Sequence, residues 1–354
     1  MRKYFIDNIR WLCILLLFPY HTCMIYNNFG SDFYIKGEEI SILSEFIYTC
    51  SPWFMPLLFV LAGVSTSYAL KKRTTSEYIK ERFLKLFIPL VTGILLLVPI
   101  QTFYAETFHN GYTGSYLNQY SLFFTKVTDL TGYTGGFTPA HLWFILYLFI
   151  ISLIAIPIIF RYKKGSHKIN ISKVNMPIIL CMFILVLLMS CILDIGGKSI
   201  GEYLMLFLLG YIFISEDIIQ TKLERYRWHL FIGVVILTIL NFVLRNTIEF
   251  SSGTLVDIYT RLQGWIGILA IVGLGKHYLE FHNKVTLYLS KASFPIYILH
   301  QSWLVLVAYY VFNVCTSVVL QVILIIFSTF IFTILSYEII KRIPFVRTIF
   351  GIKS

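Results

Sequence analysis

Three side chains in the first hydrophobic segment, Asp7, Arg10 and His21, are of types that are rare in lipid. A charge or an imidazole inside a bilayer is costly and usually faces a bundle interior or a water-filled cavity. On an α-helix, Arg10 and His21 would share one face, roughly 16 Å apart along the axis. Asp7 lies one turn before Arg10 and can pair with it. An imidazole can act as a general base, and a guanidinium can bind phosphate, so this face predicts a site.

The composition indicates an integral membrane protein. Of the 354 residues, 57% are hydrophobic and 13% are charged, and the mean hydropathy is +0.76. Soluble domains carry about 25% charged residues. About ten segments are long and apolar enough to span a bilayer, which predicts an all-α, polytopic transmembrane helix bundle. The segments are 9–26, 46–70, 83–103, 142–160, 176–195, 200–215, 228–244, 256–275, 293–313 and 317–340.

The basic residues are distributed unevenly between alternate loops. One set of loops and termini holds 23 of the 29 Lys and Arg residues, the other set holds five, and Arg10 lies within a helix. Cytoplasmic loops carry an excess of Lys and Arg, so the pattern predicts that both termini are cytoplasmic. It also accounts for the net charge of +11 without a nucleic-acid partner.

Residues 104–141 predict a long extracytoplasmic loop that is rich in Tyr, Phe and Gly. Long connections are commonly functional or disordered. The aromatic content favours either a folded cover over an outer cavity or an interfacial aromatic belt. Elsewhere, the six cysteines include no C-x-x-C pair, which predicts neither a metal site nor an obligatory disulfide.

Several motifs, in chain order, resemble the signatures of the acyltransferase-3 family of integral-membrane acyltransferases. The resemblance spans residues 4 to about 340, and the chain ends soon after, so a single membrane domain over 1–354 with no appended soluble domain is expected. The motifs are DNIR (7–10) with His21, PWFMPLLFVLAG (52–63), YIKERFLKLFIP (78–89), HLWF (141–144) and SFPIYILH (293–300).

The resemblance implies an enzyme of the cell membrane that transfers an acyl group, often acetyl, from cytoplasmic acyl-CoA to a hydroxyl of a surface carbohydrate or glycolipid. Acyl-CoA is then a co-substrate, and no cofactor or metal is bound. His21 becomes the general base or carries a transient acyl group. Arg10, Arg82 and Lys85 are expected to hold the phosphates of coenzyme A, although Arg82 and Lys85 also fit topological charge.

Two further candidates lie in later segments. His300, about two turns after a cap at Ser293, is expected to line the donor channel, or else to be a satisfied core histidine. His141 and Trp143 open the fourth segment at the outer face, where they contact a sugar or anchor the interface.

Arg261 is the last candidate. Its i,i+4 spacing from Asp257 predicts a structural pair, with a place in the acceptor pocket as the alternative.

A second function also fits an intramembrane Arg and His, namely a carrier or flippase for a polar glycan or lipid-linked precursor. The two hypotheses differ in whether activity depends on acyl-CoA, because the acyltransferase requires it and a carrier does not.

Overall fold

The computed structural model describes residues 3–30, 33–125, 135–165, 169–248 and 253–352. The described chain is almost entirely helical, as predicted. Its helices are α1 (Tyr4–Ile25), α2 (Ser41–Cys50), α3 (Phe54–Ala69), α4 (Thr75–Arg82), α5 (Ile88–Leu96), α6 (Val98–Asn110), α7 (Tyr116–Phe123), α8 (Trp143–Lys164), α9 (Met176–Cys181), α10 (Phe183–Ser190), α11 (Ile200–Leu209), α12 (Asp217–Arg225), α13 (Arg227–Ile248), α14 (Thr254–Tyr278), α15 (Lys284–Val314), α16 (Val318–Ile340) and α17 (Pro344–Ile349). Short π-helical turns occupy Phe83–Phe87 and Gly210–Ile214, and 3-10 turns occupy Ala140–Leu142 and Ile171–Lys173.

A small antiparallel hairpin was not predicted. Strands β1 (Asp194–Ile195) and β2 (Lys198–Ser199) pair through two residues each. Gly196 and Gly197 between them have φ of +60° and +74°, the conformation that a two-residue hairpin turn requires. The hairpin shortens the predicted fifth membrane segment, which ends as a helix at Ser190.

The multi-pass helical architecture is confirmed. Within the described residues, eight helical runs are long and apolar enough to cross a membrane, and a ninth is formed if a pair bent by 94° counts as one span. The eight runs are Tyr4–Ile25, Ser41–Ala69, Thr75–Asn110, Ala140–Lys164, Arg227–Thr247, Thr254–Tyr278, Lys284–Val314 and Val318–Ile340, and the bent pair is Ile200–Ile214 with Asp217–Arg225.

The predicted fifth segment forms a shorter helical run than expected. The helical run Met176–Ser190 would be about 22 Å long, less than the ~30 Å of bilayer hydrocarbon. The alternation of loop charge needs this segment to cross as well, so the cytoplasmic placement of both termini stays a prediction. Four cations of that count lie outside the described residues: Arg2, Lys126, Lys168 and Lys353.

The predicted loop 104–141 begins later than expected, because α6 continues to Asn110. Its described part is folded. Helix α7 buries Phe123 completely, and Gln119 on the same helix donates to the hydroxyl of Thr102 at 3.0 Å. Residues 126–134 of the predicted loop lie outside the described residues. A role as a cover on the outer face stays a prediction.

The chain divides into two compact units. The first comprises Met1–Cys13, Tyr48–Lys80 and Tyr147–Ser290, and the second comprises Ile14–Ile47, Glu81–Leu146 and Lys291–Ser354. In the first unit, α3 packs on α11 and the following π-helical turn, and α14 packs on α10, α12 and α13. In the second unit, α5 packs on α6, α17 and the 3-10 turn that precedes α8, and α6 packs on α7.

The first turn of α1 is held by the segment that follows α14, within the first unit. The Glu280 carboxylate accepts from the backbone N–H groups of Tyr4 and Phe5, at 3.1 and 3.3 Å. Asn8 donates to the carbonyls of Leu279 and Phe281, at 2.7 and 2.8 Å. The first N–H groups of a helix lack intrahelical partners, so these contacts fix where α1 begins.

Helix α15 begins nine residues before the predicted ninth segment, so the expected cap at Ser293 is wrong. The cap is Asn283, whose side chain accepts from the backbone N–H of Thr286 at 2.9 Å while Thr286 accepts from Asn283 N–H at 2.9 Å. This reciprocal arrangement is a strong helix start. His300 therefore lies in the middle of a 31-residue helix, about 24 Å from its start, and not two turns into it.

A close helix crossing joins α3 to α11 and its π-helical turn, in the first unit. A Cβ added at Gly63 would lie 2.0 Å from the carbonyl oxygen of Phe207, and one added at Gly210 would lie 2.2 Å from that of Val60. Real Cβ atoms do not approach oxygen so closely. Glycine at both positions therefore lets the two backbones touch, as small residues do at membrane helix interfaces.

We expect Gly63→Ala to destabilise the protein, because the new methyl group must push the α11 backbone away. Overpacking of this kind costs about 1–3 kcal/mol or more. Thermal unfolding of the purified protein in detergent measures the loss. The control is Gly233→Ala, whose Cβ would meet its nearest neighbour at 3.7 Å. Equal unfolding temperatures for the two variants would show that the crossing is not tight.

Candidate active site

Three histidines from distant parts of the chain meet in the second unit. His21 lies on α1, His141 in the 3-10 turn before α8, and His300 on α15. The ring centroid of His300 lies 5.3 Å from that of His21 and 5.2 Å from that of His141. His300 and His141 are 0% and 6% exposed, whereas His21 is half-buried. We call these three residues the histidine cluster.

The hydrogen bonds of His300 define its tautomer. Its Nδ1 lies 2.7 Å from the carbonyl oxygen of Tyr297, one turn earlier on α15. A carbonyl can only accept, so Nδ1 carries the proton and donates. The Nε2 atom of a neutral ring is then an acceptor. It is buried and has no hydrogen-bond partner among the described residues, so the cluster contains an oriented but unused lone pair.

Both ring nitrogens of His141 are occupied. Its Nε2 lies 3.0 Å from the carbonyl oxygen of Ile298, and its Nδ1 lies 3.3 Å from Nε2 of Gln101. The consistent assignment is that Nε2–H donates to Ile298 and Nδ1 accepts from the Gln101 amide. The Tyr297 hydroxyl also donates to the backbone carbonyl of His141. His141 therefore joins α8 to α15 and is held as a neutral ring.

The burial of His141 revises the role expected from the sequence. With both nitrogens bonded inside the protein, the ring has no nitrogen left for a sugar hydroxyl, and at 6% exposure it does not anchor an interface. Trp143, the first residue of α8, is 9% exposed and packs edge-on against Phe144. Its expected contact with a sugar stays a prediction.

A polar chain continues from His141 into α6 and α15. The Gln101 amide donates to Ser302 Oγ at 2.9 Å as well as to His141. The Ser302 hydroxyl then donates to the carbonyl of Leu97 at 3.0 Å. These bonds hold the side chains of His141, Gln101 and Ser302 in one arrangement, while Oε1 of Gln101 is buried without a hydrogen-bond partner among the described residues. Gln101 was not predicted as a site residue, although a polar amide within an apolar membrane segment can indicate a functional position.

His21 is surrounded by aromatic rings. Phe33 stacks on it at a centroid distance of 6.0 Å, and Tyr20 packs edge-on against it at 5.4 Å. The Phe33 carbonyl lies 2.7 Å from Nε2 of His109 on α6. Nδ1 of His21 is buried and has no hydrogen-bond partner among the described residues. Part of the imidazole is thus enclosed, and the rest of the ring remains accessible.

The histidine cluster is not arranged as a metal site. In the described part of the chain, no group of three or more His, Cys, Asp or Glu side chains is placed to hold a metal ion. The nitrogens of His141 and His300 that carry protons point at backbone carbonyls. The arrangement instead suits proton transfer, which needs an oriented ring with a free lone pair.

Arg10 belongs to the first unit, and its predicted pairing with Asp7 is present. Its Nη1 lies 2.9 Å from a carboxylate oxygen of Asp7, and its Nη2 donates to Ser65 Oγ on α3 at 2.6 Å. The Arg10 side chain keeps 32% of its surface exposed. The guanidinium is therefore positioned by two helices and still accessible.

The other residues predicted to hold the coenzyme A phosphates lie where α4 passes into α5. Arg82 ends α4, and Lys85 lies in the π-helical turn Phe83–Phe87. Lys85 forms an ion pair with Glu81 one turn earlier. Both cations are half-buried. A role in binding phosphate stays a prediction for each.

Arg261 forms its predicted pair and a second one that was missed, both within the first unit. It lies 3.2 Å from Asp257 and 3.1 Å from Glu202 on α11. Arg261 and Glu202 keep 17% and 15% of their side-chain surface, whereas Asp257 keeps 68%. Glu202 is an acidic residue in a predicted membrane segment, which can indicate a functional position. It was missed because its position three residues after Ser199 also fits a capping box.

A family model described as an acyltransferase domain matches residues 3–338. The chain belongs to the acyltransferase-3 family. Proteins named glucans biosynthesis protein C are similar over nearly their whole length. The one from Shigella dysenteriae serotype 1 (strain Sd197) is 25% identical over 99% of this chain and 94% of its own. The one from Escherichia coli O139:H28 (strain E24377A / ETEC) is 24% identical over the same shares. No solved structure matches the chain.

Membership in the acyltransferase-3 family confirms the resemblance and establishes a multi-pass membrane protein of an acyltransferase family. The match covers every member of the histidine cluster and the three candidate arginines, Arg10, Arg82 and Arg261. Of the predicted site residues, the fold gathers His21, His141 and His300. Arg10 and Arg261 lie in the first unit with their own partners.

Glu202 and Asp257 contact the same guanidinium at different exposure, so they form a matched test. We expect Glu202→Gln to lower the free energy of unfolding by about 2 kcal/mol or more, because it removes one partner of a largely buried pair. We expect Asp257→Asn to cost less than about 1 kcal/mol, as exposed pairs do. Thermal unfolding of both variants in detergent measures the difference. A larger loss for Asp257→Asn would contradict this assignment.

Proposed function

We propose that this acyltransferase-3 protein transfers an acyl group, with acetyl as the expected one, from cytoplasmic acyl-CoA to a hydroxyl group of a cell-envelope carbohydrate. His21 removes the proton of the acceptor hydroxyl. The oxygen attacks the thioester carbonyl, the carbon–sulfur bond breaks, and the coenzyme A thiolate leaves and takes the proton from His21. Each step is then balanced without a metal or a bound cofactor.

The observation that carries the proposal is the state of His21. It is an accessible imidazole on a membrane helix, with its Nδ1 enclosed beside a second oriented histidine, in a chain whose family is named for acyl transfer. An imidazole works as a general base when it is held in reach of the acceptor hydroxyl, and such catalysis contributes about 10²–10⁴-fold to a rate. The names of the relatives, glucans biosynthesis protein C, support a glucan or a similar glycan as the acceptor.

The donor end of the proposal is carried by Arg10. Its guanidinium is held by Asp7 and Ser65 but keeps 32% of its surface. Arginine presents a fixed set of N–H donors that matches phosphate oxygens. Arg82 and Lys85 would add positive charge at the entry to α5. A cation of each kind suits the polyanionic phosphates of coenzyme A, whose thin pantetheine arm carries the thioester.

We expect His21→Ala to abolish acyl transfer without unfolding the protein. The assay supplies purified protein in detergent or nanodiscs with acetyl-CoA and envelope glycans, and mass spectrometry detects products heavier by one acyl group. The loss should be at least about 10²-fold, the usual value of a general base. The matched control is His229→Ala, an exposed histidine on α13, which should retain activity.

Full transfer by His21→Ala would refute the role of His21. Glycan movement that does not depend on acyl-CoA, with no acylated product from the wild type, would instead indicate a carrier. A covalent acyl-protein adduct trapped on wild type but not on His21→Ala would assign the acyl relay in place of the general base.

We expect Arg10→Ala to raise the apparent KM for acyl-CoA about tenfold or more, because hydrogen bonds to a charged group contribute about 1.5–3 kcal/mol. Steady-state kinetics at varied acyl-CoA concentration measures it, and the KM for the glycan should change little. Arg342→Ala, whose side chain is 76% exposed, controls for general loss of positive charge. An unchanged KM for acyl-CoA in Arg10→Ala would show that Arg10 serves only its pair with Asp7.

A further inference from the structure

We infer that His300 is a positioning residue for His21. Its Nε2 accepts the Nδ1–H of His21, directly or through one water molecule, so that Nε2 of His21 is the atom that takes the acceptor's proton. The catalytic part of this inference rests on the proposed function, whereas the contact between the two rings can be tested without any reaction. It replaces the donor channel that the sequence suggested for His300.

The first step of the argument is that His300 can only accept at Nε2. Its Nδ1 donates to the Tyr297 carbonyl at 2.7 Å, and that carbonyl belongs to the same helix, one turn away, so the bond does not depend on how other helices pack. A neutral imidazole has one N–H. The remaining nitrogen of His300 therefore presents a lone pair inside the protein.

The second step is that two unsatisfied nitrogens occur in neighbouring rings. Nδ1 of His21 and Nε2 of His300 are both buried and lack hydrogen-bond partners among the described residues. Leaving a buried polar atom unsatisfied costs free energy of desolvation that no new bond offsets. A donor on His21 facing the acceptor on His300 would satisfy both atoms at once, which neither ring achieves alone.

The third step is distance. The two ring centroids lie 5.3 Å apart with their planes inclined by 38°. When two imidazole nitrogens face each other at this separation, they come within about 3 Å, the usual length of a hydrogen bond from nitrogen. A modest rotation of the His21 ring, or one bridging water, closes the contact. Catalytic hydrogen bonds are often long before the substrate binds.

The fourth step is the direction in which His21 then faces. Nδ1 is the enclosed nitrogen and the ring is half-buried, so the Nε2 edge is the one that a hydroxyl can approach. With the proton fixed on Nδ1, the lone pair lies on Nε2. A base held in the correct tautomer by a third group is the arrangement of hydrolytic triads, in which the wrong tautomer costs about 10⁴-fold.

His141 completes the arrangement by not competing. It packs edge-on against His300 at a centroid distance of 5.2 Å, but its own nitrogens are occupied by Ile298 and Gln101. It therefore offers His300 neither a donor nor an acceptor. Nε2 of His300 is left to His21, and the polar chain through Gln101 and Ser302 keeps His141 in this state.

The experiment compares His300→Gln with His300→Leu in the purified full-length protein. The glutamine amide oxygen can accept the His21 N–H, whereas leucine fills similar space without an acceptor. We expect kcat to fall about 10²-fold or more in His300→Leu and to recover at least tenfold of that loss in His300→Gln. The KM for acyl-CoA should stay within about twofold in both, whereas a donor-channel residue would change that KM.

The readout that needs no activity is nitrogen-15 solid-state NMR of histidine-labelled protein, with the His21 signals identified by their loss in His21→Gln. Wild type should show His21 protonated at Nδ1, with the shift of a hydrogen-bonded N–H. His300→Leu should show a mixture of tautomers.

A wild-type His21 protonated at Nε2 overturns the inference, and so does a kcat of His300→Leu within twofold of wild type. If wild type transfers no acyl group but shows the bonded Nδ1–H, the proposed function fails and the pairing stands. Should His300→Leu not fold, the wild-type spectrum and His300→Gln still decide.

Discussion

The constraint on which the structure depends is that polar groups in lipid must find their partners inside the protein. Side chains of α15 meet this constraint by donating to backbone carbonyls. His300 donates to Tyr297, Ser302 donates to Leu97, and Tyr297 donates to His141. These bonds fix the orientation of the His300 and Tyr297 rings. Nδ1 of His21 and Nε2 of His300 are among the buried polar atoms that find no partner in the described part of the chain, and these two lie in neighbouring rings.

Hydropathy and loop charge were sufficient to predict a multi-pass helical protein, because long apolar runs have few other structures in a bilayer. The ends of helices were less predictable. Helix α15 starts at Lys284 because Asn283 and Thr286 cap it, and hydropathy does not register a cap in a polar stretch. The hairpin after α10 depends on two glycines with positive φ. It was not predicted because the apolar run before these glycines was assigned to a membrane helix as far as residue 195.

In the candidate site, likewise, contacts within one helix were predictable from the sequence and contacts between distant segments were not. The pair of Arg10 with Asp7 was predictable because both lie on one helix face, three residues apart. The neighbourhood of His21 and His300 was not, because it depends on how α1 and α15 pack, and a misplaced start of α15 displaced His300 toward one end. Gln101 and Glu202 were missed for a different reason: an uncharged amide and an apparent cap each had an ordinary local explanation.

The contact at Gly63 and Gly210 has a mechanical consequence for the first unit. Side chains between helices act as a deformable spacer, and where two backbones touch that spacer is missing, so neither helix can roll or slide without collision. Ser65 lies on α3 just beyond this crossing and accepts from Arg10. The Ser65 hydroxyl that orients the guanidinium therefore lies next to a backbone contact that resists rolling and sliding, and thermal motion should displace it less than an acceptor carried on a loop.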